Sequence, residues 1–240
     1  MTKELIKKRF SKSLYTYDEN ALAQKEMSKK LVSMVKHKEP ISVLEIGCGT
    51  GFVTKEVFNN YEISKYDAVD LVQGCEKFLS DISSKINFYC ADIENYTPQQ
   101  KYDLIISNAS MQWLDNLQKY IDNTMKYLKP NGIFAFTIFG DGNYKEMEQF
   151  IPKPLTYYSI DKIKDICKKY NIEKITQETI KIEFKTPRDI LHHIQNTGVN
   201  ALNETRWTKS DLTNFENNYP KENNTYQLTY NPIYVLIQNK

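Results

Sequence analysis

The sequence feature that most constrains the fold is residues 43–51, where a short apolar run is followed by glycines at alternate positions, Gly47, Gly49 and Gly51. The apolar run is typical of a buried β-strand, and the helical pattern that follows places the glycines in the connecting loop. Glycines suit a loop whose backbone comes very close to another group, because a Cβ atom would block the approach or force an unfavourable φ. The pattern therefore predicts a strand, a ligand-binding loop and a helix. A glycine-rich turn that binds nothing is the alternative.

The spacing of these glycines distinguishes among nucleotide-binding loops. The pattern is Gly-x-Gly-x-Gly followed by Phe52, without the two-residue gap before the third glycine of a dinucleotide fingerprint. The Lys-Ser/Thr ending of a phosphate-binding P-loop is also absent. We therefore expect a nucleoside ligand that carries no pyrophosphate. The stretch resembles the first motif of class I S-adenosylmethionine (SAM) methyltransferases, which implies SAM as the cofactor.

Strands and helices alternate across residues 40–140, as expected for a parallel sheet with right-handed crossovers. The predicted strands are residues 42–46, 66–71, 86–90, 102–107 and 133–139, separated by predicted helices at 53–61, 75–82 and 116–128. Beyond Gly140 the pattern predicts a helix at 159–169, a half-exposed strand at 180–184, helices from Pro187 and Ser210, and an antiparallel hairpin of 226–230 and 233–237. Under the resemblance, the fold is α/β: a Rossmann-like class I methyltransferase with a doubly wound, mostly parallel sheet and an antiparallel final strand.

The chain of 240 residues has the length of one α/β domain, and no linker marks a second domain. We expect residues 1–38 to form a cover segment, in which Asn20 caps a helix, and residues 141–210 to form a lid. Basic and acidic residues balance overall, at 32 against 30, but residues 1–38 hold ten basic and four acidic side chains. This segment could attract an acidic partner, although a solvated basic helix face gives the same composition.

Composition and spacing argue against several other classes of protein. The four cysteines lack metal-ligand spacing, which is typical of reduced thiols in a cytoplasmic protein. The three histidines are too few and too badly spaced for a metal site. No apolar run approaches the roughly 20 residues that cross a bilayer, and the N-terminus lacks a signal-peptide core. We therefore expect a cytoplasmic monomer that binds no metal, membrane or nucleic acid.

The predicted strand ends meet at one edge of such a sheet, and parallel α/β sheets bind ligands there. In the glycine loop, Glu45 can organise the loop or reach the ligand's amino group. Asp70 ends the second strand, where a carboxylate can accept both ribose hydroxyls; capping the following helix is its alternative role. The resemblance implies that Asp92 contacts the adenine amino group, with Ile93 beside the ring. An ordinary loop carboxylate is the alternative for Asp92.

The fourth strand end supplies Asn108, which the resemblance places beside the sulfonium, and Trp113, which is more simply a core residue. The candidate cofactor-binding residues are Glu45, Gly47, Cys48, Gly49, Gly51, Asp70, Leu71, Asp92, Ile93 and Asn108. This part of the resemblance covers about residues 40–140. It is specific as to the cofactor but weak as to the methyl acceptor, because this fold methylates many kinds of atom.

The flanking segments bear on the acceptor. Residues 107–114, Ser-Asn-Ala-Ser-Met-Gln-Trp-Leu, resemble two carboxyl methyltransferase families: the malonyl-acyl-carrier-protein O-methyltransferases of biotin synthesis and the trans-aconitate methyltransferases. Residues 9–18 resemble the aromatic opening of the malonyl family, and residues 190–201 and 228–230 resemble its lid and final strands. The resemblance implies esterification of the free carboxyl of malonyl-acyl carrier protein or malonyl-CoA. A trans-aconitate-type methyltransferase and a SAM-binding regulatory protein without turnover are the alternatives.

Two residues are candidates for acting on the acceptor. Tyr17 is expected to close over the cofactor and acceptor, because an aromatic face suits a sulfonium; an aromatic staple on the following helix is the alternative. Arg188 heads the lid helix and is the first choice among Arg9, Arg188 and Arg206 for the malonate carboxylate, with a solvated helix-start arginine as the alternative. Arg9 fits a basic surface patch for the carrier protein better. No general base is required, because the acceptor is already ionised and the site must mainly align the reactants.

Overall fold

The computed structural model describes residues 2–36, 38, 40–151, 157–198 and 207–240. The strands are β1 (Ile41–Ile46), β2 (Ile63–Asp70), β3 (Ile86–Cys90), β4 (Tyr102–Ser107), β5 (Leu128–Phe139), β6 (Asn171–Gln177), β7 (Ile180–Phe184), β8 (Lys221–Glu222), β9 (Thr225–Tyr230) and β10 (Pro232–Gln238). The helices are α1 (Lys3–Asn20), α2 (Leu22–Met34), α3 (Phe52–Asn60), α4 (Cys75–Ser80), α5 (Leu117–Thr124), α6 (Ile160–Cys167), α7 (Pro187–Asn196) and α8 (Lys209–Asn218).

Seven strands form the main sheet, in the order β3-β2-β1-β4-β5-β10-β6. β1 pairs in parallel with β2 and β4, β2 with β3, and β4 with β5, whereas β10 runs antiparallel to both β5 and β6. The chain leaves β1 on one side toward β2 and β3 and returns on its other side at β4, so a crevice opens at the C-terminal ends of these strands. The predicted doubly wound, mostly parallel sheet with an antiparallel final strand is confirmed.

The centre of the main sheet is buried on both faces, because helices cover each side. Every residue of β1 is buried, and its neighbouring side chains point to opposite faces. Val43 belongs to a hydrophobic cluster that includes Leu31 of α2, whereas Leu44 belongs to a second cluster that includes Ile121 of α5. A strand buried on both faces is mostly apolar, as β1 is, with only Ser42 and Glu45 as polar residues.

The helix predicted after Asn20 exists as α2, but its predicted N-cap was wrong. Asn20 does not cap a helix, because it is the last residue of α1 and its side chain donates to the Thr16 carbonyl oxygen at 2.7 Å. α2 follows after Ala21, which makes no side-chain capping bond. Ile6, Phe10 and Leu14 recur every four residues and form the face of α1 that packs onto the protein.

The predicted closing hairpin is also wrong. β9 pairs with β7 and β8 in a separate three-stranded antiparallel sheet, whereas β10 joins the main sheet between β5 and β6. The two strands are neighbours in sequence, but β10 is buried along nearly its whole length. Such a strand is stabilised by pairing on both edges and packing on both faces, which a two-stranded hairpin does not provide.

The stretch expected to form a lid, residues 141–210, divides between two places. β6 completes the edge of the main sheet, and α7 lies against α1, where Thr16 Oγ1 donates to the Asn196 carbonyl oxygen at 3.2 Å. α7 begins with a capping box of Thr186 and Asp189, with Pro187 in its first turn. Residues 152–156 and 199–206 lie outside the described residues. The lid function of this stretch stays a prediction.

Candidate functional site

A cavity lies at the C-terminal ends of β1, β2, β3 and β4, at the edge where the sequence predicts a ligand. α1 supplies one wall through Ile6 and Phe10, and the segment after α7 supplies Thr197 and Gly198. The predicted residues that line this cavity are Tyr17, Glu45, Gly47, Cys48, Gly49, Asp70, Leu71, Asp92, Ile93 and Asn108. The structure therefore brings most of the predicted site together.

The glycines of the loop after β1 have two different surroundings. Gly47 has a φ of +68°, and a Cβ atom there would lie 2.2 Å from Ser110 Oγ. Its N–H donates to the Val69 carbonyl oxygen at 2.8 Å, which holds the loop against the end of β2. Gly51 has a φ of +86° and does not line the cavity; a Cβ atom there would meet Ile82 Cδ1 at 2.5 Å. Gly47 is thus required at the cavity, whereas Gly51 is required by packing.

Glu45 is buried beneath the glycine loop. Its carboxylate accepts hydrogen bonds from the hydroxyls of Thr54 and Tyr66, both at 2.5 Å. These bonds join β1 to the first turn of α3 and to β2. Burial raises the pKa of this carboxyl to about 7. The structure thus places Glu45 as an organiser of the loop, and its contact with a ligand stays a prediction.

Asp70 ends β2, and its carboxylate binds both the glycine loop and the turn that follows β2. One oxygen accepts from the Gly49 N–H and the other from the Val72 N–H, each at 2.9 Å. Burial raises the pKa of this carboxyl, and the backbone hydrogen bonds oppose the rise. Because a carboxylate oxygen accepts more than one hydrogen bond, Asp70 retains acceptor capacity toward a ligand in the cavity.

Asp92 and Ile93 line the cavity just beyond β3, where a cation from α1 approaches. Asp92 Oδ1 accepts from the Glu94 N–H at 3.1 Å and lies 3.7 Å from Lys3 Nζ. Lys3 also pairs with Glu94 and donates to the Trp113 carbonyl oxygen at 3.2 Å. Lys3 thus fastens the start of α1 to the loops after β3 and β4. Lys3 was not among the predicted site residues.

Asn108 follows β4 and lines the cavity, but both of its amide atoms bind within the protein. Nδ2 donates to the Gln24 carbonyl oxygen of α2 at 2.9 Å, and Oδ1 accepts from Thr137 Oγ1 of β5 at 2.7 Å. The side chain therefore holds α2 in place across the end of β4. Its predicted position beside the sulfonium is not tested by these contacts.

Tyr17 lines the cavity from the last turn of α1. Its ring stacks on Phe52 with centroids 5.7 Å apart and meets Phe10 edge-on at 5.2 Å. Burial raises the pKa of the Tyr17 phenol well above its ordinary value, so the hydroxyl stays protonated at neutral pH. The three rings, which we call the aromatic wall, present faces suited to a cation.

The structure does not bring Arg188 to the cavity, which corrects its assignment to the acceptor site. It lies in the first turn of α7 with its side chain 61% exposed, and its guanidinium pairs with Glu216 of α8. Arg188 is thus the solvated helix-start arginine given as the alternative. Arg206 lies outside the described residues.

His193 is a structural contact of α7 rather than a ligand. Its Nε2 lies 2.6 Å from the Tyr230 hydroxyl of β9, and burial lowers the pKa of the imidazole to about 4, so the ring is neutral. Among the described residues, no group of three or more His, Cys, Asp and Glu side chains could hold a metal ion. In the same part of the chain, no helix is long and apolar enough to span a membrane.

Several residues that line the cavity were not predicted as site residues. They are Lys3, Ile6, Phe10, Gln24, Thr50, Ser110, Gln112, Thr197 and Gly198, among others. Many of them come from α1, α2 and the end of α7. They were missed because the prediction considered only the loops at strand ends. The four-residue spacing of Ile6, Phe10 and Leu14 was a usable signal for α1.

Three side chains at the cavity have a buried polar atom that makes no hydrogen bond to the described residues. They are Gln24 Oε1, Thr50 Oγ1 and Gln112 Oε1. Nearly all buried polar atoms in folded proteins are paired, so unpaired ones require an explanation. At the wall of a cavity, a polar ligand is the explanation that fits the predicted site.

Comparisons with known proteins agree with this geometry. A family model described as a methyltransferase domain matches residues 18–177. The malonyl-[acyl-carrier protein] O-methyltransferase of Chlorobium luteolum is 33% identical over 99% of this chain and 96% of its own length. Proteins of the same name from Acinetobacter baylyi and Calditerrivibrio nitroreducens are 31% and 34% identical, over 98% and 96% of this chain and 96% and 95% of their own lengths.

Solved structures share the fold at lower identity. The YcgJ protein of Bacillus subtilis has a TM-score of 0.65 at 12% identity, over 90% of this chain and 98% of its own. The N-methyltransferase NodS of Bradyrhizobium japonicum, solved in complex with S-adenosyl-L-homocysteine, has a TM-score of 0.59 at 14% identity, over 98% of each chain. At these identities the likeness establishes a common fold.

Proposed function

The chain belongs to the malonyl-[acyl-carrier protein] O-methyltransferase family, and we propose that it transfers a methyl group from SAM to the free carboxylate of a malonyl thioester, with malonyl-acyl carrier protein as the preferred acceptor. The observation that carries this proposal is the match to relatives of that name along nearly the whole chain, including α1 and the C-terminal strands. A match confined to the core would leave the acceptor open, because the fold methylates many kinds of atom. In biotin synthesis, as the resemblance implies, the ester masks a charge during elongation toward pimelate.

The methyl donor is S-adenosyl-L-methionine, and the residues at the cavity fit its parts. When bound, SAM supplies an activated methyl group on a sulfonium. Asp70, at the end of β2, is positioned to accept the ribose hydroxyls, while Asp92 and Ile93, after β3, would lie at the adenine. The fit is supported by the unpaired Gln24 Oε1 and by Gly47, at which any side chain would collide with the cavity wall.

The chain's own residues act in this proposal by aligning the reactants and excluding water. A carboxylate acceptor is ionised at neutral pH, so no side chain must remove a proton. The phenol of Tyr17 is protonated and serves as part of the aromatic wall rather than as a base. Alignment in well-ordered sites lowers reaction barriers by roughly 7–11 kcal/mol. α1 covers the cavity and thereby excludes water from it.

The outward face of α1 is the proposed docking surface for the acidic carrier protein. Lys7, Lys8 and Lys12 are exposed, and none of them forms an ion pair with an acidic residue in the part of the chain that the structure describes. Lys8 and Lys12 also line a groove between α1 and Asn196 at the end of α7. The same helix turns Phe10 toward the cavity, so a partner on this face would sit directly above the site. Surface cations of this kind act mainly on association rate.

Labelled methyl transfer tests the proposed acceptor. Methyl-labelled SAM is incubated with the protein and, in parallel, with malonyl-carrier protein, malonyl-CoA or trans-aconitate. We expect esterification of both malonyl thioesters, faster for the carrier-bound one. Faster transfer to trans-aconitate would contradict the acceptor assignment, and saturable SAM binding without transfer to any acceptor would favour a regulatory protein. Carrier protein without a malonyl group is the control.

A further inference from the structure

Gln24 carries a polar group that the proposed roles of the cavity residues leave unexplained. The side chain comes from α2, is 2% exposed and lines the cavity, yet its Oε1 has no hydrogen-bond partner in residues 2–36, 38, 40–151, 157–198 and 207–240. A buried amide oxygen without a partner destabilises a folded protein. Because Gln24 Oε1 lies at the cavity wall, a hydrogen-bond donor on the bound ligand would pair with it.

The position of Gln24 along the sheet edge indicates which part of SAM it meets. Asp92 and Asp70 mark the ends of β3 and β2, on one side of β1 in the main sheet. Gln24 is tied to the opposite side, because its carbonyl oxygen accepts from Asn108, which follows β4. A ligand with its adenine at β3 and its ribose at β2 turns its far end toward Gln24. In SAM, that far end is the methionyl group.

The methionyl group ends in an ammonium and a carboxylate, and an amide oxygen is an acceptor. We infer that Gln24 binds the α-ammonium group of SAM through Oε1. The three carboxylates that line the cavity have partners within the protein. Glu45 accepts hydrogen bonds from the hydroxyls of Thr54 and Tyr66. Asp70 accepts from the N–H groups of Gly49 and Val72, and Asp92 lies beside Lys3. In the part of the chain that the structure describes, Gln24 Oε1 is a buried acceptor without a partner on the β4 side of the cavity.

The other two unpaired atoms fit this role less well. Thr50 Oγ1 follows Gly49, whose N–H donates to Asp70, and so belongs to the ribose side of the loop. Gln112 is only partly buried, and its Nε2 already donates to the Ala109 carbonyl oxygen at 2.7 Å. Gln24 combines burial, an unpaired acceptor and the position beside β4.

Asn108 is then a positioning residue for Gln24. Its Nδ2 holds the Gln24 backbone, and its Oδ1 is in turn fixed by Thr137 of β5. The end of β4 thereby sets the place of α2 relative to the glycine loop. The inference rests on SAM as the methyl donor and is independent of the malonyl acceptor.

The test compares two probes by calorimetry, S-adenosyl-L-homocysteine and 5′-methylthioadenosine. Both contain the adenosyl group and the sulfur, but only the first carries the amino-acid end. Gln24→Leu should weaken binding of S-adenosyl-L-homocysteine roughly 10- to 100-fold, the range for one hydrogen bond to a charged group, and leave methylthioadenosine unchanged. Asp70→Asn is the matched control, because a change on the ribose side should weaken both probes.

Equal weakening of the two probes by Gln24→Leu would overturn the inference, as would unchanged affinity for S-adenosyl-L-homocysteine. Thermal unfolding establishes that the variant is folded. If it does not fold, the side-chain amide resonances of Gln24 in the wild-type protein provide the readout. A shift with S-adenosyl-L-homocysteine and none with methylthioadenosine supports the assignment. The same shift with both probes, or with neither, overturns it.

Discussion

Replacing Gly47 by alanine should destabilise the protein through two separable effects. The first is conformational: Gly47 has a φ of +68°, and the left-handed region costs a non-glycine residue about 1–2 kcal/mol. The second is steric, because the new Cβ atom would lie 2.2 Å from Ser110 Oγ and 2.7 Å from Ser110 Cβ. Overpacking of this kind typically costs about 1–3 kcal/mol. The free energy of unfolding should therefore fall by about 2–5 kcal/mol.

Gly49→Ala is the matched control for this prediction. Gly49 has a φ of +52°, but the nearest atom to its Cβ position is Phe10 Cζ at 3.4 Å, an ordinary contact. This variant should therefore show only the conformational loss of about 1–2 kcal/mol. Urea denaturation of both variants, with linear extrapolation to water, measures the difference. Equal losses for the two alanine variants would refute the steric argument at Gly47.

Three further predictions concern charge. Burial raises the pKa of Glu45 from 4.5 to about 7, so the charged form is disfavoured in the folded protein and stability falls as pH rises through that window. Relative to Glu45→Gln, the wild-type protein should lose up to about 3 kcal/mol between those pH values, and parallel pH profiles from urea unfolding would contradict this. Arg188→Ala should leave kcat and KM for malonyl-carrier protein unchanged, because exposed pairs such as Arg188 with Glu216 contribute only about 0–1 kcal/mol; a large loss of turnover would return Arg188 to the acceptor site. Neutralising Lys7, Lys8 and Lys12 together should lower kcat/KM for the carrier-bound substrate roughly tenfold at low salt and spare malonyl-CoA. Equal losses with both substrates would exclude the docking surface.

The part of the site on strand ends could be predicted from sequence because parallel strands bring their C-terminal ends to one edge. Each predicted strand within residues 40–140 exists, and Asp70, Asp92 and Asn108 line one cavity as that rule requires. The contacts that these side chains make within the protein could not be predicted from the sequence in the same way. Asn108 could not be recognised as a support for α2, because its partners Gln24 and Thr137 lie 84 and 29 residues away in the chain.

The misassigned elements have a common physical cause, since each depends on tertiary partners. β9 and β10 are adjacent in sequence, and their local pattern is compatible with a hairpin. Their actual partners are β7 for β9 and β5 for β10, which lie far away in the sequence. Arg188 was placed in the site because arginine suits a carboxylate, whereas the structure puts it on the exposed side of the first turn of α7, paired with Glu216 of α8. A local pattern predicts that an element exists more reliably than which face of it meets the site.

The position of the transferred methyl group decides whether the protein esterifies the malonyl carboxylate. Malonyl-carrier protein is incubated with the protein and methyl-labelled SAM, and the product is analysed by mass spectrometry before and after mild alkaline hydrolysis. We expect one labelled methyl group as an ester on the free carboxyl of the malonyl group, removed by hydrolysis, and no label on carrier protein without malonate. Label on the polypeptide of the carrier protein, or no label under conditions in which SAM binds, would contradict this expectation.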